Sequence, residues 1–301
     1  MTAEAQQISR SILELSDNLA LGALDSDDYL IRSEMVANEA ASILESGETH
    51  FLVNIAGQEL RYPIVRFGSS VTSLNLFEYK ELSVFALYAL LSRKVERFCD
   101  LGSNIGSHSV CLAALGASVR SWDPDRTVSG IQRQLFREHG FSCTQIDAAA
   151  GIVNEGASFV RLEDNQTGSH LAGRKPNPYG RITTHYVEVK DCRPDIAWAD
   201  LVKMDIEGSE AEILCQTAHE ILSEAFIICE VTDKSAAHDL YEYLSVAPVS
   251  MFSQRYGWRI PVSVQDLPAH HSHGSLLIVG HESRLRSHLR GIFDECLGID
   301  Q

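Results

Sequence analysis

The stretch Val95–Gly106, VERFCDLGSNIG, constrains the fold more than any other part of the chain. A mostly apolar run ends on Asp100, a turn follows that carries Gly102 and Gly106, and HSVCLAALG then has helical spacing with Gly116 as its stop. ASVRSWD is a second strand that ends on Asp123, so the unit covers about thirty residues, the size of a βαβ crossover. A later strand, DLVKMDI, runs into a third acidic, glycine-marked end, KMDIEG at Lys203–Gly208. Three such strand ends in one α/β chain describe a nucleoside-binding crevice, because ligands of open parallel sheets bind outside the carboxyl ends of the strands, where the strand order reverses.

The residue types in the turn say what kind of ligand fits. Asp100 is placed to hold an ammonium group or to fix the loop backbone. Gly102 and Gly106, lacking Cβ, let the main chain turn tightly and approach a ligand closely. Asn104 tolerates a left-handed conformation and carries both a donor and an acceptor. The helix is expected to begin near Ile105, with its free N–H groups towards the ligand. Asp123 follows Gly102 by 21 positions, where an acidic side chain accepts from ribose hydroxyls. A dinucleotide site wants G-x-G-x-x-G, and here Asn104 stands in place of the middle glycine. A pyrophosphate fits poorly, and a ligand with ribose and adenine but no phosphates, such as S-adenosylmethionine (SAM), fits better. The alternative is a tight structural turn with no ligand.

Further elements follow in α/β order. Thr127–His139 has apolar residues at helical spacing and Gly140 as its end. FSCTQID is a third strand, and Asp147 and Ala148 at its end are where a side chain or backbone group would face an adenine amine. Ala157–Leu162 is a short strand, AFIICEV at Ala225–Val231 is an apolar run of the kind found in a central parallel strand, and SLLIVG is the last strand. Ser209 and Glu212 form an S-x-x-E capping box. In the first 94 residues, Ile8–Leu24, Glu34–Glu45 and Leu74–Leu91 read as helices, and HFLVNIAGQELRYPIVRFG as a hairpin turning near Ala56–Gln58.

DLGSNIG at Asp100–Gly106, WDPD at Trp122–Asp125 and DLVKMDIEGSE at Asp200–Glu210 resemble the FkbM family of SAM-dependent methyltransferases, whose pattern is D-x-G-A-N-x-G, E-P, then K-[ILM]-D-x-E-G-x-E. The resemblance covers roughly residues 98–231. Ser103 stands where alanine is usual, and Asp123 where glutamate is usual, which keeps the carboxylate but shortens its reach. The resemblance implies a Rossmann-like class I methyltransferase fold, a doubly wound and mostly parallel sheet over residues 95–301. It implies methyl transfer to a hydroxyl of a sugar-like or polyketide natural product, with S-adenosylhomocysteine (SAH) as product. It also places Glu78 near the cofactor, beside Asp100, Gly102, Ser103, Asn104, Gly106, Asp123, Asp147, Ala148 and Asp205.

Composition narrows the partners. The chain has 301 residues, with 41 acids against 25 lysines and arginines and a formal net charge of −16. Nucleic acid and acidic membranes are poor partners for such a surface. No apolar run is long enough to span a bilayer, and the first ten residues lack the basic and apolar regions of a secretory signal. With no C-x-x-C pair among seven cysteines, reduced thiols in a cytoplasm are expected. The extension over residues 1–94 would cap the cofactor, shape the acceptor pocket or join two copies of the chain. Glu163–Arg181 is long and polar enough for a lid over the acceptor. His270, His271 and His273 have no evident carboxylate partner, so no metal is assigned. An alcohol needs help to lose its proton, and the candidate acceptors are Asp205, then Glu207, which share a face if the strand continues, then His170 on the lid. A SAM-binding module without catalysis and a nicotinamide-dependent oxidoreductase are the competing readings.

Overall fold

The computed structural model describes residue 24 and residues 26–69, 71–175 and 180–289. The expected helix Ile8–Leu24 lies outside them save for Leu24. Helix α1 (Asp27–Glu45) starts where Ser26 accepts a hydrogen bond from the Tyr29 N–H. Strands β1 (His50–Ile55) and β2 (Gln58–Pro63) form the expected hairpin, with Ala56 and Gly57 both at positive φ in its two-residue turn. The stretch read as one helix over Leu74–Leu91 is broken at Glu78, whose ψ of 157° is extended. A 3-10 turn, Ser73–Phe77, precedes it and α2 (Tyr79–Leu90) follows.

The remaining elements are β3 (Arg97–Leu101), α3 (Ser107–Ala114), β4 (Ser118–Trp122), α4 (Arg126–His139), β5 (Thr144–Ile146), β6 (Ala149–Gly151), β7 (Glu155–Leu162), β8 (His170–Leu171), β9 (Ile182–Asp191), α5 (Arg193–Trp198), β10 (Leu201–Met204), α6 (Glu210–Cys215), α7 (His219–Glu224), β11 (Phe226–Glu230), α8 (Lys234–Leu244), β12 (Val249–Ser253) and β13 (Ser275–Gly280). Seven strands make the main sheet in the order β12-β13-β11-β10-β3-β4-β5, parallel except for β13, which runs antiparallel to both neighbours. This doubly wound, mostly parallel sheet is the expected class I methyltransferase fold. The order reverses between β3 and β10, so their carboxyl ends flank the crevice.

Alternate residues of the central strands face two apolar layers. Phe98, Leu201, Phe226 and Ile228 enter a core shared with α1, the hairpin, α2 and α3, while Cys99, Leu101, Val202, Ile227 and Cys229 enter the core on the other face. The period of two puts Asp100, Lys203 and Glu230 on the first face, under α2 and α3. A second sheet, in the order β6-β9-β7-β8, stands beside the first. Its longest pair, β7 with β9, runs antiparallel from Glu155↔Val189 to Leu162↔Ile182.

Candidate active site

The glycine turn closes on itself. The Gly102 and Ser103 N–H groups both donate to the Trp122 carbonyl, at 3.0 and 2.9 Å. The Asn104 N–H donates to Asp123 Oδ2 at 2.9 Å, the Ile105 N–H to Asn104 Oδ1 at 2.8 Å, and the Gly106 N–H to the Ser103 carbonyl at 2.8 Å. Every N–H from Gly102 to Gly106 is thus spent inside the protein. The expectation that N–H groups near Ile105 point at the ligand is corrected: α3 begins at Ser107, with left-handed Gly106 as its N-cap. Asn104 is left-handed as expected, with φ of 51°.

Gly102 is required for a different reason from the one the sequence suggests. A Cβ there would meet the Asp205 carbonyl oxygen at 1.8 Å, so the close approach is between the ends of β3 and β10, not between loop and ligand. At Gly106 a Cβ would lie 2.5 Å from the Gln132 side chain, which also accepts from the buried Ser103 hydroxyl at 3.1 Å.

The acids of the crevice are heavily perturbed. Asp123 is 9% exposed and also accepts from the Asp125 N–H at 2.8 Å. Burial pushes its carboxyl up to about 7, against those two backbone donors. Asp100 accepts from the Ser109 hydroxyl at 2.6 Å, which ties the strand end to α3, and burial pushes it up to about 6, against Ser109 and Lys203. Asp147 pairs with Arg133 on α4 through both oxygens, and Ala148 is fully buried. Exposed Glu78 accepts from the Asn75 amide at 3.2 Å and lines a cavity beside the extension.

Past the end of β10 the acids converge. Carboxylate oxygens of Asp205, Glu207 and Glu230 all lie within 4.8 Å of one another, the one trio of possible metal-ligating side chains so placed among the described residues. Asp205 and Glu207 do not meet through strand alternation: β10 ends at Met204, and Glu207 turns back with φ of 62°. Three ammonium groups stand among these acids. Lys203, 2% exposed, reaches Asp205 Oδ2 at 3.2 Å, Lys175 contacts Glu207, and the Lys80 ammonium feels Glu81, Glu230, Glu78 and Asp205. Burial opposes the charge on Lys203, but neighbouring acids, Asp205 first and then Glu81, outweigh it and hold the ammonium above its ordinary range. Burial also opposes ionisation of Asp205, yet the charge of Lys203 and hydrogen bonds from Glu230 and Lys203 hold that carboxyl well below the usual range. Glu230 is the protonated partner, pushed far up by burial and by Asp205. Glu207 is raised by burial and by Asp205, against Lys175.

The turn after β10 is secured by Glu210, not by the expected Ser209–Glu212 box. Glu210 accepts from the Ile206 and Gly208 N–H groups, both at 2.8 Å, whereas Glu212 pairs with Arg174. The candidate lid segment carries a 3-10 turn, Gln166–Gly168, and β8. His170 lies in β8, 1% exposed, with Nδ1 against the Gly168 carbonyl at 2.9 Å, rather than on a free loop, and burial lowers its pKa. Beyond β8 that segment does reach the acids, through Lys175 on Glu207, while its far end, Arg181, pairs back with Asp164.

Sequence reasoning did not single out Lys80, Lys175, Lys203 or Glu230. The signal for Glu230 was present: it is the one charged residue in AFIICEV, at a strand end. Lys203 reads the same way, a lysine in a run that is otherwise buried.

No family model matches the chain, and the FkbM resemblance rests on the motifs. A curated relative, the hexuronic acid methyltransferase AglP of Haloferax volcanii, is 26% identical over 163 residues, 50% of this chain and 62% of that protein. The chain thus matches less than two thirds of the relative's length. Solved structures with a similar chain path include the Thermus thermophilus 16S rRNA N2 G1207 methyltransferase RsmC in complex with AdoMet and guanosine, with a TM-score of 0.37 at 12% identity over 77% of this chain and 50% of that one. Residues 942–1257 of the StiE O-MT match with a TM-score of 0.33 at 10% identity over 56% and 53%. At these TM-scores neither likeness bears on what this chain acts on.

Proposed function

We propose that this chain transfers the methyl group of SAM to a hydroxyl of a small, sugar-like or polyketide molecule. The observation that carries this reading is the closed hydrogen bonding of Gly102–Gly106. With all five N–H groups spent, and Asp123 and Asp100 beside them, the turn offers nothing to a pyrophosphate. An acid-walled crevice favours a cationic nucleoside, and SAM has a sulfonium and an ammonium but no phosphate. The same observation weighs against the nicotinamide reading. The relative named for a hexuronic acid supports a sugar-like acceptor.

When bound, SAM supplies an electrophilic methyl on a good leaving group. The protein then has to align the acceptor oxygen and receive its proton. Asp123 holds the turn and keeps acceptor capacity for ribose hydroxyls, since each carboxylate oxygen has two lone pairs. Asp205, the first candidate for the base on sequence grounds, is made a weak proton acceptor by Lys203 and by the Glu230 proton. Glu207, whose basicity is raised, suits that role better, and Lys175 holds its carboxylate in place. His170, buried against Gly168, does not suit it.

The test is SAH release from SAM with hydroxylated acceptors, among them hexoses, hexuronic acids and hydroxylated polyketides. Release above a no-acceptor control is expected for at least one class. SAM binding without release across the whole set would favour the non-catalytic module.

A further inference from the structure

A cavity of about 550 Å³ opens where three distant parts of the chain meet: α1, the start of α2 and the β12–β13 connection. Its walls include Tyr29, Glu78, Lys80, Arg255, His271 and His273. In a chain of net charge −16, this wall reverses the sign: two obligate cations face one carboxylate. Lys80 is held cationic, because burial lowers its pKa but Glu81, Glu230, Glu78 and Asp205 more than compensate. Among the described residues its ammonium makes one hydrogen bond, to the His271 carbonyl at 3.0 Å, which leaves two of its three donors for a ligand. Arg255 gives one terminal nitrogen to the Gln265 carbonyl at 2.9 Å and keeps the other side of its fork. Burial lowers the pKa of His271 and His273, leaving neutral imidazoles: His271 can donate to or accept from hydroxyls, and His273, whose Nδ1 accepts from the Ala269 N–H at 3.2 Å, keeps Nε2–H to donate. The Tyr29 ring, packed on Tyr79 with centroids 5.1 Å apart, adds an apolar wall.

The cavity adjoins the acids past β10. Lys80 lies within the electrostatic reach of Asp205 and Glu230, and His271 within that of Lys175, the partner of Glu207.

We propose that this cavity is the acceptor subsite and that it takes a polyhydroxylated molecule bearing one carboxylate, with the carboxylate on Lys80 and Arg255 and hydroxyls on the His271–His273 side. Two cations against Glu78 leave about one positive charge, which matches a monoanion better than a phosphate dianion. The assignment as acceptor subsite rests on the methyl-transfer reading.

The test is a calorimetric titration of the full chain, saturated with SAH, by glucuronate, glucose and glucose 6-phosphate. These share a sugar ring and differ in charge. Glucuronate is expected to bind about tenfold or more tighter than glucose and no weaker than glucose 6-phosphate. Arg255→Gln is expected to remove that preference without changing SAH affinity, and Lys80→Gln, separately, is expected to remove it too. Equal binding of glucuronate and glucose, or a preference that survives both substitutions, would overturn the proposal, and tighter binding of the phosphate would overturn the carboxylate assignment. Failure of SAH to bind would overturn the methyl-transfer reading and the acceptor assignment with it. The same titration without SAH would then read the anion site alone.

Discussion

The two ends of the β3–β10 pair are built on opposite principles. At the amino end, Asp200, 4% exposed, accepts from the Glu96 and Arg97 N–H groups at 3.0 and 2.8 Å and from the Arg97 guanidinium at 2.9 Å, with Arg284 on its second oxygen. One acid is answered by two guanidiniums and two backbone donors. At the carboxyl end, three carboxylates crowd within 4.8 Å, and two non-glycine residues, Asn104 and Glu207, sit at positive φ. At Glu207 this costs about 1–2 kcal/mol of backbone energy, and less at Asn104, whose side chain accepts locally from the Ile105 N–H. Like charges held together and strained backbone are tolerated where binding or chemistry requires them. The amino end is built as scaffold, and on the proposed methyl-transfer reading the carboxyl end gives up stability for function.

The largest expected effect falls on the scaffold. Asp200→Ala leaves Arg97 and Arg284 without their carboxylate and is expected to cost about 3–5 kcal/mol in denaturant unfolding, while SAM affinity of the folded fraction holds. An unchanged unfolding midpoint would break the contrast from that side.

Next comes the proton acceptor. Glu207→Gln is expected to lower single-turnover kcat at least a hundredfold, about 2.7 kcal/mol, with SAM affinity and melting temperature close to the parent's. Asp205→Asn keeps an amide oxygen for Lys203 and is expected to lower kcat less. The reverse order would return the role to Asp205, and parent-like rates in both would leave catalysis to positioning alone.

Asp123→Ala comes third. It removes the carboxylate that holds the Asn104 and Asp125 N–H groups and is expected to weaken SAM binding by about 1.5–3 kcal/mol, roughly 10- to 150-fold. Unchanged affinity in the folded variant would remove the ribose assignment.

The smallest effect is a pH dependence. Asp123 and Glu210, both buried and both pushed up to about 7 chiefly by burial, hold protons in the folded chain that the unfolded chain has already lost. Their contribution to stability therefore falls as pH rises through about 7, on the order of 1 kcal/mol. The perturbed histidines His108, His170, His271 and His273 oppose this: lowered by burial, they are neutral when folded but partly protonated when unfolded near pH 6.5, so their contribution rises with pH by a similar amount. Asp123→Asn is expected to make the slope of stability against pH, measured by urea unfolding, more positive than the parent's, and an unchanged slope would contradict the burial of Asp123.

Much of this was legible in the sequence. The strand ends at Asp100, Asp123 and Asp205, the left-handed Asn104 and the Ala56–Gly57 hairpin turn all follow from local residue types. What was not legible depends on contacts distant in sequence. Lys203 and Glu230 become site residues only because β10 lies between β3 and β11, and Lys80 only because α2 covers that face. The need for Gly102 was visible, but its cause, the Asp205 carbonyl, lies more than a hundred residues away. Strand β9 escaped notice because its first half is exposed and polar, with backbone pairing to β7 in place of an alternating apolar face.

The most direct test of the claim that the carboxyl end of β3 and β10 is a methyl-donor site is a pair of calorimetric titrations of the full chain, one with SAM and one with NAD. Saturable one-to-one binding of SAM and no binding of NAD is the expected result. Binding of NAD as tight as that of SAM, or no binding of SAM, would contradict it.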